Sequence, residues 1–307
     1  MDDEDEVLLT LANTLPTLID LLGGKEHVYL LLQSLESLCA VEETVVRDAA
    51  VASFGTIAAH LLPQHVLFFN QIEEYALPMI KRLSSGDWFT SRTSACGLYT
   101  PVYALLSQNT RLQEELKKGY ALLCNDDTPM VRRAAATNLS KLIQVIEPTG
   151  VQDLNNLLVA LAGDEQDSVR LLTVDGLIAI SAKVTPDQFK TFNLSNTVKS
   201  LVSDPSWRVR YMVADRIVKL GGTVPKPVKE EVLVPGFLSL LKDGESEVRT
   251  IVCTHAPAFC SLAMTSDVVV RDAVPLLKDL TSDSSQHVRA ALAGSLNGLA
   301  PMLGTLY

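Results

Sequence analysis

An arginine that returns about every forty residues constrains this chain more than any other feature. It stands at Arg47, Arg92, Arg132, Arg170, Arg210, Arg249 and Arg289, with successive steps of 45, 40, 38, 40, 39 and 40 residues. Five or six positions before each stands an acid: Glu42, Asp87, Asp126 beside Asp127, Asp164, Asp204, Asp243 and Asp283. Asp3 and Val7-Leu8 fall one step before Arg47 and read as an eighth phase, with leucine in place of arginine. The chain holds 13 arginines and 13 lysines, yet the phase takes seven arginines and no lysine. A merely solvated charge would accept lysine. A planar fork that must meet a carboxylate in fixed geometry would not. The position is therefore structural, and each arginine is expected to pair with the acids of its own or the adjacent repeat.

Each unit carries two helical patterns. An apolar run precedes the acid, as in Val232–Leu241 and Val268–Leu277. A second helix follows it: Val131, Ala135, Leu139, Leu142, Ile143 and Ile146 fall on one helical face. Thr128-Pro129 reads as an N-cap with proline at the first helical position, and Asp204-Pro205 offers the same pairing. Pro78, Pro235 and Pro275, inside first helices, are expected to bend them. Period-2 alternation is scarce, and no Asn-Gly or Asp-Gly hairpin joins β-branched runs. Two helices per ~40 residues define a HEAT or armadillo-type solenoid. The expected fold is all-α: a HEAT-repeat α-solenoid, a superhelical arc of antiparallel helix pairs stacked ~8–10 Å apart. It divides as one array into 1–22 (a partial repeat, second helix only), 23–62, 63–107, 108–147, 148–184, 185–224, 225–264 and 265–307. Longer connections are expected around 63–66 and 221–227.

Composition limits the function. With 26 Lys plus Arg against 36 Asp plus Glu, the net charge of −10 argues against nucleic-acid binding and so against a DNA glycosylase built on helical repeats. The acidic stretch Met1–Glu6 is unlike a signal-peptide start, and no run of ~18 apolar residues suggests a membrane span. Five cysteines without a CxxC point to buried free thiols in a reducing cytoplasm or nucleus. No Walker loop, GxGxxG, HExxH or GxSxG occurs. Cys253, His255 and Cys260 come nearest to a metal cluster, but on a helix His255 leaves the face shared by the two cysteines. The paired carboxylates recur in every unit, which marks architecture and not catalysis. No enzyme activity, cofactor or metal is expected.

The uneven turns carry the partner signal. Trp88 and Trp207 are the only tryptophans, and both lie beside a repeat acid. They either close their own turns or serve as interface anchors. Arg133 and Arg208 fall off the structural phase, which favours a partner-facing role.

The turns Val41–Asp48, Gly86–Leu98, Asp126–Ala136, Asp164–Leu172 and Ser206–Asp215 resemble those of the scaffolding A (65 kDa regulatory) subunits of protein phosphatase 2A, a HEAT-repeat family. The resemblance runs from Asp2 to about Leu303 and is weaker between Gly221 and Leu233. It implies a non-catalytic scaffold that controls phosphatase assembly. In the family, intra-repeat turns form a ridge for interchangeable regulatory (B-type) subunits, and more C-terminal repeats hold the catalytic subunit. Carried over by matching motif, the ridge comprises Trp88, Phe89, Asp127, Thr128, Pro129, Met130, Arg132 and Arg133, then Glu165, Gln166, Asp167, Ser206, Trp207, Arg208 and Tyr211. This chain resembles only part of the family's array, and the repeats for the catalytic subunit are missing from it. A fragment or incomplete gene model and a genuine short variant both fit. Binding of a regulatory subunit is expected, and of the catalytic subunit only where further C-terminal repeats exist. A general HEAT-repeat adaptor of the karyopherin type is the alternative.

Overall fold

The computed structural model describes residues 3–23, 25–62, 71–106 and 109–303. Among them every regular element is helical. The expected loop around 63–66 lies outside the described residues. The chain parts into two compact units, Met1–Leu157 and Leu158–Tyr307.

In the first unit α1 (Asp3–Thr14) packs on the second helix of the following repeat, two helices further along. That repeat starts with a 3-10 stretch, Lys25–Leu31, which runs into α2 (Leu32–Leu38) and turns back through α3 (Thr44–Leu61). The buried Ser53 hydroxyl of α3 donates to the Ala12 carbonyl at 2.6 Å. Two further pairs follow: α4 (Leu77–Ser84) with α5 (Phe89–Leu105), and α6 (Thr110–Cys124) with α7 (Pro129–Val145). The second helices α3, α5 and α7 pack on one another in order. Every member of the apolar face expected on α7 and its C-cap Ile146 is buried. The core of this unit is mainly aliphatic, with Phe54, Tyr99, Tyr103 and Tyr120 buried among it. Tyr120 is wholly buried, meets Tyr99 edge-on at 5.2 Å and donates to the Ala135 carbonyl at 2.6 Å. A buried hydroxyl needs such a partner.

Helix α8 (Val151–Ala162) spans the division between the units. The second unit continues with α9 (Asp167–Arg170) and α10 (Thr173–Ser181). The next repeat is α11 (Pro186–Thr191), α12 (Leu194–Val202) and α13 (Trp207–Thr223). After it come α14 (Lys226–Val228), α15 (Val234–Leu240) and α16 (Ser246–Ala263). The last described repeat is α17 (Ser266–Val268), α18 (Val274–Leu280) and α19 (Gln286–Leu303). Here α10, α13, α16 and α19 pack successively.

The phased arginines hold the turns in register. Arg92 binds Asp126 through Nε and Nη2 at 2.7 and 3.2 Å, and its Nη1 donates to the carbonyls of Gly86 and Asp87 in its own turn. Arg170 does the same with Asp204, Arg210 with Asp243 and Arg249 with Asp283, at 2.6–2.9 Å. Arg47 and Arg289 likewise donate to carbonyls of their own turns. For Arg92, Arg170, Arg210 and Arg249 the pairing is thus specific: carboxylate from the next repeat, carbonyls from their own. The same aspartates close their turns by accepting the N–H two residues on, as Asp126 does from Thr128 and Asp243 from Glu245.

Four local expectations change. The longer connection expected around 221–227 is absent: α13 runs to Thr223 and α14 starts at Lys226, with only Val224 and Pro225 between them. Thr128 occupies the N-cap position of α7, but its hydroxyl accepts from Arg92 Nη2 at 3.2 Å and makes no capping bond. Asp204 is not the N-cap of α13; Ser206 is, because the Asx turn from Asp204 delays the helix by two residues. The prolines of the first helices are taken up by a widened π turn just before each: Ile72–Ala76 before Pro78, Lys229–Leu233 before Pro235 and Val269–Ala273 before Pro275. A proline removes one helical N–H and crowds the carbonyl four residues back. Shifting the bond to the fifth residue, as from Val234 N–H to the Lys229 carbonyl, relieves both.

The five cysteines are buried and unpaired with one another. Burial pushes the thiols of Cys39, Cys124 and Cys253 up to about 12 and Cys260 to about 11, and holds Cys96 well above its ordinary value. Thiols held in that state are poor nucleophiles and poor metal ligands.

Candidate partner-docking ridge

The turns that the arginines align also carry several exposed apolar side chains. In the first unit Trp88 takes extended backbone as the N-cap residue of α5 and leaves its side chain 77% exposed. Nothing packs that ring into its own turn, so the turn-closing reading fails for Trp88. The brace is supplied by Ser91, whose hydroxyl donates to the Trp88 carbonyl at 2.8 Å. Phe89 and Met130, at the starts of α5 and α7, are also exposed. Arg133 is exposed and places Nη1 3.6 Å from Met130 Sδ. Asp127 is exposed, whereas Thr128, Pro129 and Arg132 are half-buried. Arg132 donates to the carbonyls of Asp126 and Asp127, so it acts as a turn brace.

In the second unit Glu165 and Gln166 are exposed and Tyr211 is half-buried. Asp167, Ser206 and Arg208 join two successive turns. The Ser206 hydroxyl donates to Asp167 Oδ2 at 2.7 Å, and Arg208 Nη1 reaches the same oxygen at 3.4 Å. Those two donors, Ser206 first, hold the Asp167 carboxyl below the usual carboxylate range. The Arg208 guanidinium lies 5.2 Å from the ring centre of the half-buried Trp207, a cation–π arrangement that presents a flat, amphipathic face.

Buried pairs underneath stiffen this surface. Burial alone would raise the Asp126 and Asp243 carboxyls, but hydrogen bonds from Arg92 or Arg210, and from the turn N–H groups, bring both below normal. For Asp283 the Arg249 hydrogen bond is the leading cause of the same lowering. The carboxylate bonds in turn raise Arg92, Arg170, Arg210 and Arg249.

Among the exposed apolar residues that escape motif reasoning are Val45, 50% exposed, and Leu122, 75% exposed. A usable signal was present. Two residues before the phased arginine, other repeats carry Thr90, Ser168, Arg208, Glu247 and His287, but Val45 and Met130 are apolar. Ten residues before it, Leu122 replaces small or polar residues such as Arg82, Ser200 and Asp279. At the suspected metal cluster, His255 Nε2 lies 3.7 Å from Asp215, while Cys253 and Cys260 are buried.

Comparison with known proteins agrees with this architecture. The model of a PPP2R1A-like HEAT repeat matches residues 226–304, and that of a HEAT repeat matches 120–146. The chain is 42% identical over 305 residues to the beta isoform of the human 65 kDa regulatory A-subunit of serine/threonine-protein phosphatase 2A, covering 98% of this chain and 49% of that one. It is 41% identical over 233 residues to the regulatory A-subunit of protein phosphatase PP2A from Schizosaccharomyces pombe, covering 75% and 38%. A probable PP2A regulatory subunit of Caenorhabditis elegans is 52% identical over 178 residues, covering 58% and 29%. The chain spans about half or less of the length of these relatives. Among solved structures, a Kap121p mutant superposes with a TM-score of 0.60 at 15% identity, over 97% of this chain and 29% of that one. At that identity the likeness shows the fold alone.

Proposed function

Given that this chain belongs to the family of protein phosphatase 2A regulatory A-subunits, we propose that it is a non-catalytic scaffold whose intra-repeat turns dock phosphatase regulatory (B-type) subunits. The observation that carries the reading is the exposed set Trp88, Phe89, Met130 and Arg133 on turns braced from beneath by the arginine ladder. Exposed large aromatics beside arginine are the residue types that dominate interface energetics. Fixed backbone beneath them lowers the ordering cost of association.

Holding two partners on one chain raises their concentration for each other and so controls assembly without any bond-breaking step. The catalytic subunit joins where further C-terminal repeats are supplied. Buried thiols suit the reducing cytoplasm and nucleus. Among the described residues, no helix is long and apolar enough to cross a membrane.

A pull-down from lysate with mass spectrometry tests this. The wild-type chain should recover regulatory subunits in stoichiometric amount with little catalytic subunit. Recovery of stoichiometric catalytic subunit by this chain alone, or of transport cargo instead, would contradict it.

A further inference from the structure

A second surface lies in the first unit, between first helices, and its lining does not include Arg133. Two grooves of about 470 and 490 Å³ share Gln33, Glu36 and Arg82 and form one channel. At one end Tyr29 and Tyr75, from successive repeats, stack at 4.6 Å with their planes 22° apart. Exposed Leu30 stands beside them. At the other end stands Trp88. Along its helical wall, from Tyr29 to Ala40, the channel is roughly 16 Å long at helical rise.

Most of its wall is helical, and at the Trp88 end the turn carbonyls of Gly86 and Asp87 are taken by Arg92, so little backbone is free for a guest to add as a β-strand. Recognition must come from ring faces and side chains. That suits a polyproline II segment, which has no internal hydrogen bonds to lose and is extended before it binds. At ~3.1 Å per residue, five or six residues span the channel.

Charge selects among such segments. Among the described residues, the walls carry Glu36, Glu74 and Asp87 against Arg82 alone. Three acids less one base leave two negative charges. Arg82 is itself clamped on Glu36 by two 2.7 Å bonds, so it is not offered to an acidic guest.

We propose that the Tyr29–Tyr75 to Trp88 channel binds an extended, proline-containing basic segment of a partner protein. The site shares Trp88 with the ridge but does not depend on the ridge reading. The probe is a fluorescein-labelled synthetic peptide of about eight residues, a length chosen to overhang the channel, with proline pairs alternating with arginine. Its binding to the full chain is read by anisotropy, beside an acidic counterpart with glutamate for arginine.

The basic peptide should bind saturably and the acidic one should not. Added salt should weaken binding. Tyr75→Ala and Trp88→Ala should each weaken it roughly tenfold, as loss of an aromatic anchor does. Arg133→Ala, which tests only the ridge, should leave it unchanged. Absence of saturable binding, equal binding of the acidic peptide, or unchanged affinity in both aromatic variants would overturn the proposal. So would a dimer that Tyr75→Ala dissolves, since a second copy would then cover the channel.

Discussion

Arg92, Arg170, Arg210 and Arg249 each divide their N–H groups between two turns. In Arg210, Nη1 serves the carbonyls of Asp204 and Pro205, while Nε and Nη2 serve Asp243 of the next repeat. Lysine has one nitrogen and cannot reach both sets, which is why the phase excludes it. Arg210→Lys should destabilise the chain by ~2–3 kcal/mol, because the buried carboxylate of Asp243 then keeps only part of its partners; urea unfolding measures this. The pair also sets an acid limit. Because the Asp126, Asp243 and Asp283 carboxyls are lowered in the folded chain, their contribution is full above the unfolded value of about 4 and is lost as pH falls through the folded one. Asp243→Asn keeps a turn acceptor but loses the charge. The stability gap between it and wild type should therefore be widest near neutral pH and close below about pH 4.

At the level of the helix, period and face were readable because each core position repeats. The buried face of α7 is one such case. The starts of helices were less readable. Asp204 looks like an N-cap from its neighbour Pro205, yet its carboxylate also has to meet Arg170, and that fixes it two residues outside α13. The π turns were hidden too, since proline announces a lost bond but not which carbonyl replaces it. Close helix approach makes a testable contrast. A Cβ on Gly236 of α15 would come 2.4 Å from Val202 Cγ1, whereas one on Gly222 of α13 would meet nothing within 4 Å. Gly236→Ala should cost ~1–3 kcal/mol through overpacking. Gly222→Ala should be neutral or stabilise by up to ~1 kcal/mol from helix propensity, both read by thermal unfolding.

On the scale of the whole chain, repetition is what made both fold and ridge legible. The ladder fixes where the turns must be, and departures from it single out the residues assigned to the proposed ridge. Trp88, Met130 and Arg133 stand out because the repeat does not need them there. Val45 and Leu122 were harder to see, since an isolated aliphatic residue looks like core until its exposure is known. The central claim is that these turns hold a phosphatase regulatory subunit. The most direct measurement is calorimetry in which a purified regulatory subunit is titrated into the wild-type chain and into an Arg133→Ala/Trp207→Ala double variant of unchanged helicity. One-to-one binding to wild type, weakened at least about tenfold in the double variant, is the predicted result. No binding to wild type, or equal affinity for both, would contradict it.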